Sequence, residues 1–149
     1  MANDSAKKPY SAWWTLRLTL GLVPFLAGLD KFFNVLTDWA QYQSPVLLHF
    51  LHFLPISAAS FMHIVGVIEM IVGLAILTRW TLLGSYAAMV WLVAIAGNLI
   101  TTGMYFDIAV RDLALAAAAY TLAMLTKELA VPANSVKQGL TNEESQRAA

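Results

Sequence analysis

An all-α integral membrane protein, folded as a four-helix bundle, is the fold class this sequence predicts, and three observations predict it. Hydrophobic residues make up 59% of the 149-residue chain and charged residues only 12%, against the roughly 25% charged expected of a soluble domain. Several apolar runs with few charges are long enough to cross a hydrocarbon core of about 30 Å at 1.5 Å per residue. Lysine and arginine also fall on one side of those runs. Lys7, Lys8, Arg79, Lys127 and Lys137 flank one side, and Asp38 and Asp107 the other. The positive-inside rule then places both termini in the cytoplasm.

The elements follow in order. Residues 1–12 are a polar N-terminal segment, with Lys7 and Lys8 just ahead of the first apolar run. That run is longer than a signal-peptide core and lacks a convincing small-residue cleavage site, so it reads as an uncleaved first span over about 13–35. Arg17, Gly21, Pro24, Gly28 and Lys31 share one of its faces by 3.6-residue geometry. A stripe of small residues with a cation at each end reads as an inward face, although Arg17 alone could simply snorkel to the headgroups. Pro24 removes a backbone donor and predicts a kink. An apolar segment over about 46–54, bracketed by Pro45 and Pro55, is too short to span. It suits an interfacial helix or a lid over the helix ends. His49 and His52 share one face of it, and His63 follows nearby. Without a ligand these are interfacial histidines; a metal site is the other reading.

The second span covers about 58–77, and the basic turn Thr78–Thr81 carries Trp80 as an interfacial anchor. The third covers about 82–104, with Gly84, Ala88, Gly97 and Asn98 as small and polar packing positions. Asn98 is suited to bond across to a neighbouring helix. The fourth covers about 108–125 after the short turn Tyr105–Asp107. It opens on Arg111 and Asp112 and carries the close-packing alanines Ala114 and Ala116–Ala119. The membrane domain is thus 13–126. Residues 127–149 read as a polar tail, flexible from Asn134 on. Short turns make neighbouring spans antiparallel, as in a four-helix bundle.

The second span, FMHIVGVIEMIVGLAIL, carries one carboxylate at its middle. An ionisable group there costs about 2.5–3.5 kcal/mol on insertion scales and therefore faces a partner or a cavity. Gly66, Glu69 and Gly73 lie within about 60° of one another at 100° per residue, so another helix can approach closely where Glu69 sits. Two readings of Glu69 stand at this point: a structural ion pair that sets helix register, or a functional carboxylate. Glu69 lies about 16 Å from the outer end of its helix, Arg111 about 5 Å from the outer end of its own, and Arg17 about 6 Å from the inner end. Arg17 and Arg111 are accordingly the candidate partners of Glu69. Asp30 and Lys31 lie at the outer end beside Arg111 and Asp112, which predicts a polar network over the outer half; the sequence leaves its pairing open.

Composition narrows the chemistry. Net charge is zero, and without a long basic cluster nucleic acid is not an expected partner. The absence of cysteine removes disulfides, thiolate metal sites and cysteine-held iron–sulfur clusters. The histidines cluster in one region, against an intrinsic bis-histidine haem, and no Glu-x-x-His motif supports a di-iron bundle. No intrinsic cofactor or metal is expected; a bound quinone or lipid is compatible. Arg17, Glu69, Asn98, Arg111 and Asp112 supply polar groups for a solute or proton path, but four short helices leave little room for a substrate in a monomer.

The motifs resemble those of the DoxX/DoxD-like membrane proteins. They are Arg17–Gly21 leading to Phe25–Phe32, Gly66–Glu69 leading to Gly73–Leu74, and Arg111–Leu113. The resemblance extends over roughly Trp13 to Leu125. It implies a four-helix bacterial inner-membrane protein with Arg17, Lys31, Glu69, Arg111 and Asp112 as its characteristic polar positions. Some relatives are linked to thiosulfate oxidation with quinone as acceptor or to membrane complexes that handle oxidative stress, and many have no assigned activity. The expectation is therefore a small subunit or accessory protein of a membrane complex, with a quinone-linked oxidoreductase as the class implied. As an enzyme it would be a non-catalytic or quinone-interacting subunit, partnered by other subunits or by its own copies. The alternative is a small oligomeric transporter or proton path using Glu69.

Overall fold

The computed structural model describes residues 2–54 and 56–130, with side chains from residue 9 onward. The described chain is all-helical. The helices are α1 (Ala2–Asp30), a 3₁₀ turn (Trp39–Tyr42), α2 (Pro45–His52), α3 (Ala58–Leu77), α4 (Thr81–Thr101) and α5 (Phe106–Ala130). Among the described residues, four helices are long and apolar enough to cross a membrane: α1 from Pro9, α3, α4 and α5. The protein is a multi-pass helical bundle with the composition and dimensions of a membrane protein. Pro55, Lys137 and the tail from 131 lie outside the described residues, as do the side chains of Lys7 and Lys8.

Several boundaries differ from the expected ones for local reasons. The first helix ends at Asp30 rather than near Val35, because Asn34 turns left-handed (φ 51°) and its N–H bonds back to Asp30 O at 2.7 Å. That is how a helix C-terminus satisfies its last carbonyls. At its start, α1 runs back through the polar segment to Ala2 and passes Pro9 and Pro24 without a break in helical structure. The left-handed residues Gly103 and Tyr105 (φ 70° and 58°) end α4 at Thr101 and let α5 begin at Phe106. In turn α5 carries Lys127 and Glu128 within the helix, where the sequence had placed the start of a polar tail. The short segment α2 starts on Pro45, which has no N–H to leave unsatisfied, and the Ser44 side chain caps it by accepting from Leu47 N.

The closest packing follows the glycines. A Cβ on Gly28 would stand 2.5 Å from Gly66 O, and one on Gly66 2.5 Å from Gly28 O; a Cβ on Gly73 would meet Gly21 O at 2.6 Å. Two glycines spaced by seven residues on α1 thus oppose two spaced by seven on α3, in antiparallel register. Backbone-to-backbone approach at two points brings every side chain between them into close contact. Helix α5 packs chiefly against α4, with Ala109 beside Ala96 and Leu99.

Apolar side chains fill one half of the bundle: Leu20, Ile76, Ala88, Ala119 and Leu122 form a buried cluster toward the Thr78 end. The other half, called here the cap end, is covered by the connection 31–57. A smaller cluster of Ala96, Leu99 and Ala109 lies there, packed against Tyr42 and Tyr105.

Candidate functional site

Asp30 and Lys31 close α1 and point into different jobs. The Asp30 carboxylate accepts from Val35 N, Leu36 N and Trp39 Nε1, the last at 2.8 Å, and so folds the chain after α1 back over the bundle. Lys31 reaches along the α1–α3 seam, and its Nζ donates to Glu69 Oε2 at 2.5 Å. Both side chains are buried, at 4% and 9% exposure. The indole of Trp39 covers the same ammonium, with Nζ 3.7 Å from the ring centroid. A desolvated cation over an indole face contributes about 2 kcal/mol. One cation is thus held between a carboxylate and an aromatic face, and the tryptophan is itself held by Asp30.

Glu69 has further neighbours. Gly84 meets Ile76 where α4 crosses α3, and two turns along each helix Trp91 comes level with Glu69. The Trp91 Nε1–H is buried without a well-formed hydrogen bond, and Glu69 is the carboxylate beside it. Asp112 is 4% exposed and within electrostatic reach of both Lys31 and Glu69. Its Oδ1 accepts from Arg111 Nε at 3.1 Å and Nη2 at 3.0 Å. The Arg111 side chain itself is 64% exposed. Three buried carboxylates (Asp30, Glu69, Asp112), with Lys31 and Arg111 as their cations, therefore gather in the cap half. Ile76, of the apolar cluster, lies about 10 Å further along α3 from Glu69, at 1.5 Å per residue.

Two sequence expectations about pairing are corrected. Glu69 is paired with Lys31, and neither Arg17 nor Arg111 is its partner. Register decides this. Gly21 opposes Gly73, so Arg17 one turn away faces the end of α3, about 12 Å along the helix from Glu69. There its guanidinium donates to Ile76 O, Leu77 O and Thr78 O at 3.0, 2.9 and 2.6 Å. It also lies 4.7 and 5.0 Å from the rings of Trp13 and Trp14. A cation at a helix C-terminus meets both unsatisfied carbonyls and the negative end of the helix dipole. Arg111 is retained by its own neighbour Asp112. Asn98 does not bridge to another span. Its Nδ2 donates to Tyr42 O at 2.7 Å and its Oδ1 accepts from Ser44 N at 3.2 Å, so it fastens the cap connection to α4.

The histidines are dispersed. His63 stacks on Phe32 with centroids 4.9 Å apart, His49 meets Phe53 edge-on at 5.3 Å, and His52 lines a cleft beneath α2. Among the described residues no group of three His, Asp or Glu side chains is placed to hold a metal. The residue that sequence reasoning passed over is Trp39. No periodic pattern ties it to Lys31, and only the turn made by Asp30 brings the two together. Trp91 carries no signal either, because a tryptophan in an apolar helix ordinarily reads as lipid-facing or interfacial.

Fold and site together define a small polytopic helical-bundle protein with a buried ionic cluster near one end. The chain matches no protein-family profile, no curated protein and no solved structure. The DoxX/DoxD-like resemblance therefore rests on the sequence motifs alone.

Proposed function

We propose that the protein is a small membrane-embedded subunit or accessory protein of a membrane complex, in which the buried charges serve assembly of the bundle. The observation that carries this reading is the Lys31–Glu69 pair. It joins α1 to α3 across the Gly28–Gly66 contact, beneath Trp39, and so commits the intramembrane glutamate to a partner. The apolar cluster beyond it, from Leu20 to Leu122, leaves the buried ionic side chains among the described residues gathered toward one end. Both features suit a scaffold better than a path. A quinone-linked oxidoreductase as the class of complex follows from the resemblance alone. In this reading the protein sits in a bacterial-type inner membrane with both termini in the cytoplasm, on the grounds of Lys7, Lys8, Arg79, Lys127 and Lys137.

The proton-path alternative draws on a specific feature, the three carboxylates collected around one buried ammonium. The test is mass spectrometry and an absorption spectrum of the protein gently solubilised from its native membrane at native expression level. A stoichiometric larger partner is the expected result, with flavin or haem absorbance if the complex is an oxidoreductase. A colourless homo-oligomer without a partner would sink the accessory reading and turn attention to proton flux in reconstituted vesicles.

A further inference from the structure

The cap end carries an apolar surface that the bundle does not use. Val35 is 81% exposed, Phe53 74%, Val46 66% and Phe50 64%, as much as or more than Ile71 at 60% in the middle of α3. Phe33 and Leu36 are likewise exposed, and they follow directly in the chain on the exposed Leu29 and Phe32 at the end of the membrane-spanning helix α1. From Phe32 to Thr78 the chain has no lysine or arginine, and Asp38 is the one carboxylate before Glu69.

A second, independent observation concerns the backbone. Apolar side chains alone do not fit a segment for lipid, because each unsatisfied N–H or C=O costs several kcal/mol there. Around α2, backbone groups at both ends find partners within the protein. Ser44 Oγ accepts from Leu47 N, and Asn98 satisfies Ser44 N and Tyr42 O. Phe53 N and Leu54 N turn back to Phe50 O and Leu51 O, while Gln43 Nε2 donates to Ala58 O at the start of α3. Beneath α2 lies an open cleft of about 380 Å³, walled by Leu48, Leu51, Leu54, Ile56 and Ala58 with His52 among them.

We infer that α2 and the 33–36 turn lie in the lipid at the bilayer interface, with acyl chains covering Val46, Phe50 and Phe53 and entering the cleft beneath them. The cap is then a lipid-embedded lip, with the polar turn 37–43 directed to the headgroups and Trp39 held over the Lys31–Glu69 pair. An amphipathic segment too short to span binds the interface in this way.

The chain has no cysteine, so single-cysteine spin labels have no background. Val46→Cys, Phe50→Cys and Phe53→Cys are labelled in lipid bilayers, with Ile71→Cys as a lipid-facing reference and Gln41→Cys as a polar-turn reference. Collision with oxygen and with a water-soluble nickel chelate is then measured at each position. The lip predicts oxygen-to-nickel ratios at 46, 50 and 53 severalfold above that at 41 and approaching that at 71. Ratios equal to that of Gln41→Cys would place this face in water and overturn the inference. Shielding from both reagents would equally overturn it, and would assign the face to a second copy or another subunit.

Discussion

The two halves of the bundle solve the same packing problem with different chemistry. In the half toward Thr78, Leu20, Ile76 and Leu122 fill the space between helices, and Arg17 serves the α3 terminus by binding three carbonyls. In the cap half, Lys31, Glu69, Asp112 and Asp30 are buried where apolar residues would otherwise stand. Lipid tails are as apolar as leucine, so the apolar half gains cohesion mainly from close contact. The cap half gains it from groups that have no alternative partner within a membrane. Apolar contacts tolerate small shifts of register, whereas an ion pair in low dielectric does not. The glycine contacts set the α1–α3 register along the whole seam, and the comparison assigns to the cap half, through Lys31–Glu69, the holding of that register against slippage.

The sharpest way to break this comparison is at Glu69. Glu69→Leu leaves the Lys31 ammonium buried without its anion and is expected to cost about 3–5 kcal/mol. The double variant Lys31→Met/Glu69→Leu should recover most of that loss, since an apolar pair can replace a buried ionic one. Thermal unfolding in a mild detergent reads both. A double variant as unstable as the single one would mean that the charge pair is not what the site depends on.

A smaller effect is expected in the other half. Leu122→Ala opens a cavity in a fully buried position and should fall at the low end of the range of about 2–5 kcal/mol seen for such truncations. The transfer part of that cost is weakened where the unfolded reference is itself in lipid. A loss as large as that of Glu69→Leu would erase the proposed difference between the halves.

The smallest effect belongs to Trp39. Trp39→Phe keeps an aromatic face for Lys31 but removes the indole N–H bonded to the Asp30 carboxylate, at an expected cost of about 1.5 kcal/mol, the low end of the range for a hydrogen bond to a charged group. The same variant should speed modification of Lys31 by an amine-reactive reagent if the indole shields it. Unchanged labelling together with unchanged stability would remove Trp39 from the site.

The sequence by itself determined the class of fold and the residue types of the site. Long apolar runs with few charges cannot remain in water, and the hydrocarbon thickness sets their length, so four spans were legible from composition and spacing. The α3 range Ala58–Leu77 was visible because its apolar run ends at a basic turn. The rarity of charge also singled out Arg17, Lys31, Glu69, Arg111 and Asp112, and the glycines Gly66 and Gly73 marked the close-packed face. Tertiary structure alone decided who meets whom. Reach along a single helix favoured an arginine for Glu69, but the partner depends on the stagger of α1 against α3. That stagger comes from Gly21 over Gly73 and Gly28 over Gly66, contacts between residues 52 and 38 positions apart. The end of α1 was equally hidden, because Asn34 and the Asp30 side chain stop a helix that the apolar run Phe32, Phe33, Val35, Leu36 would prolong. Periodicity records which face of a helix is buried, and it holds no record of how far one helix slides along the next.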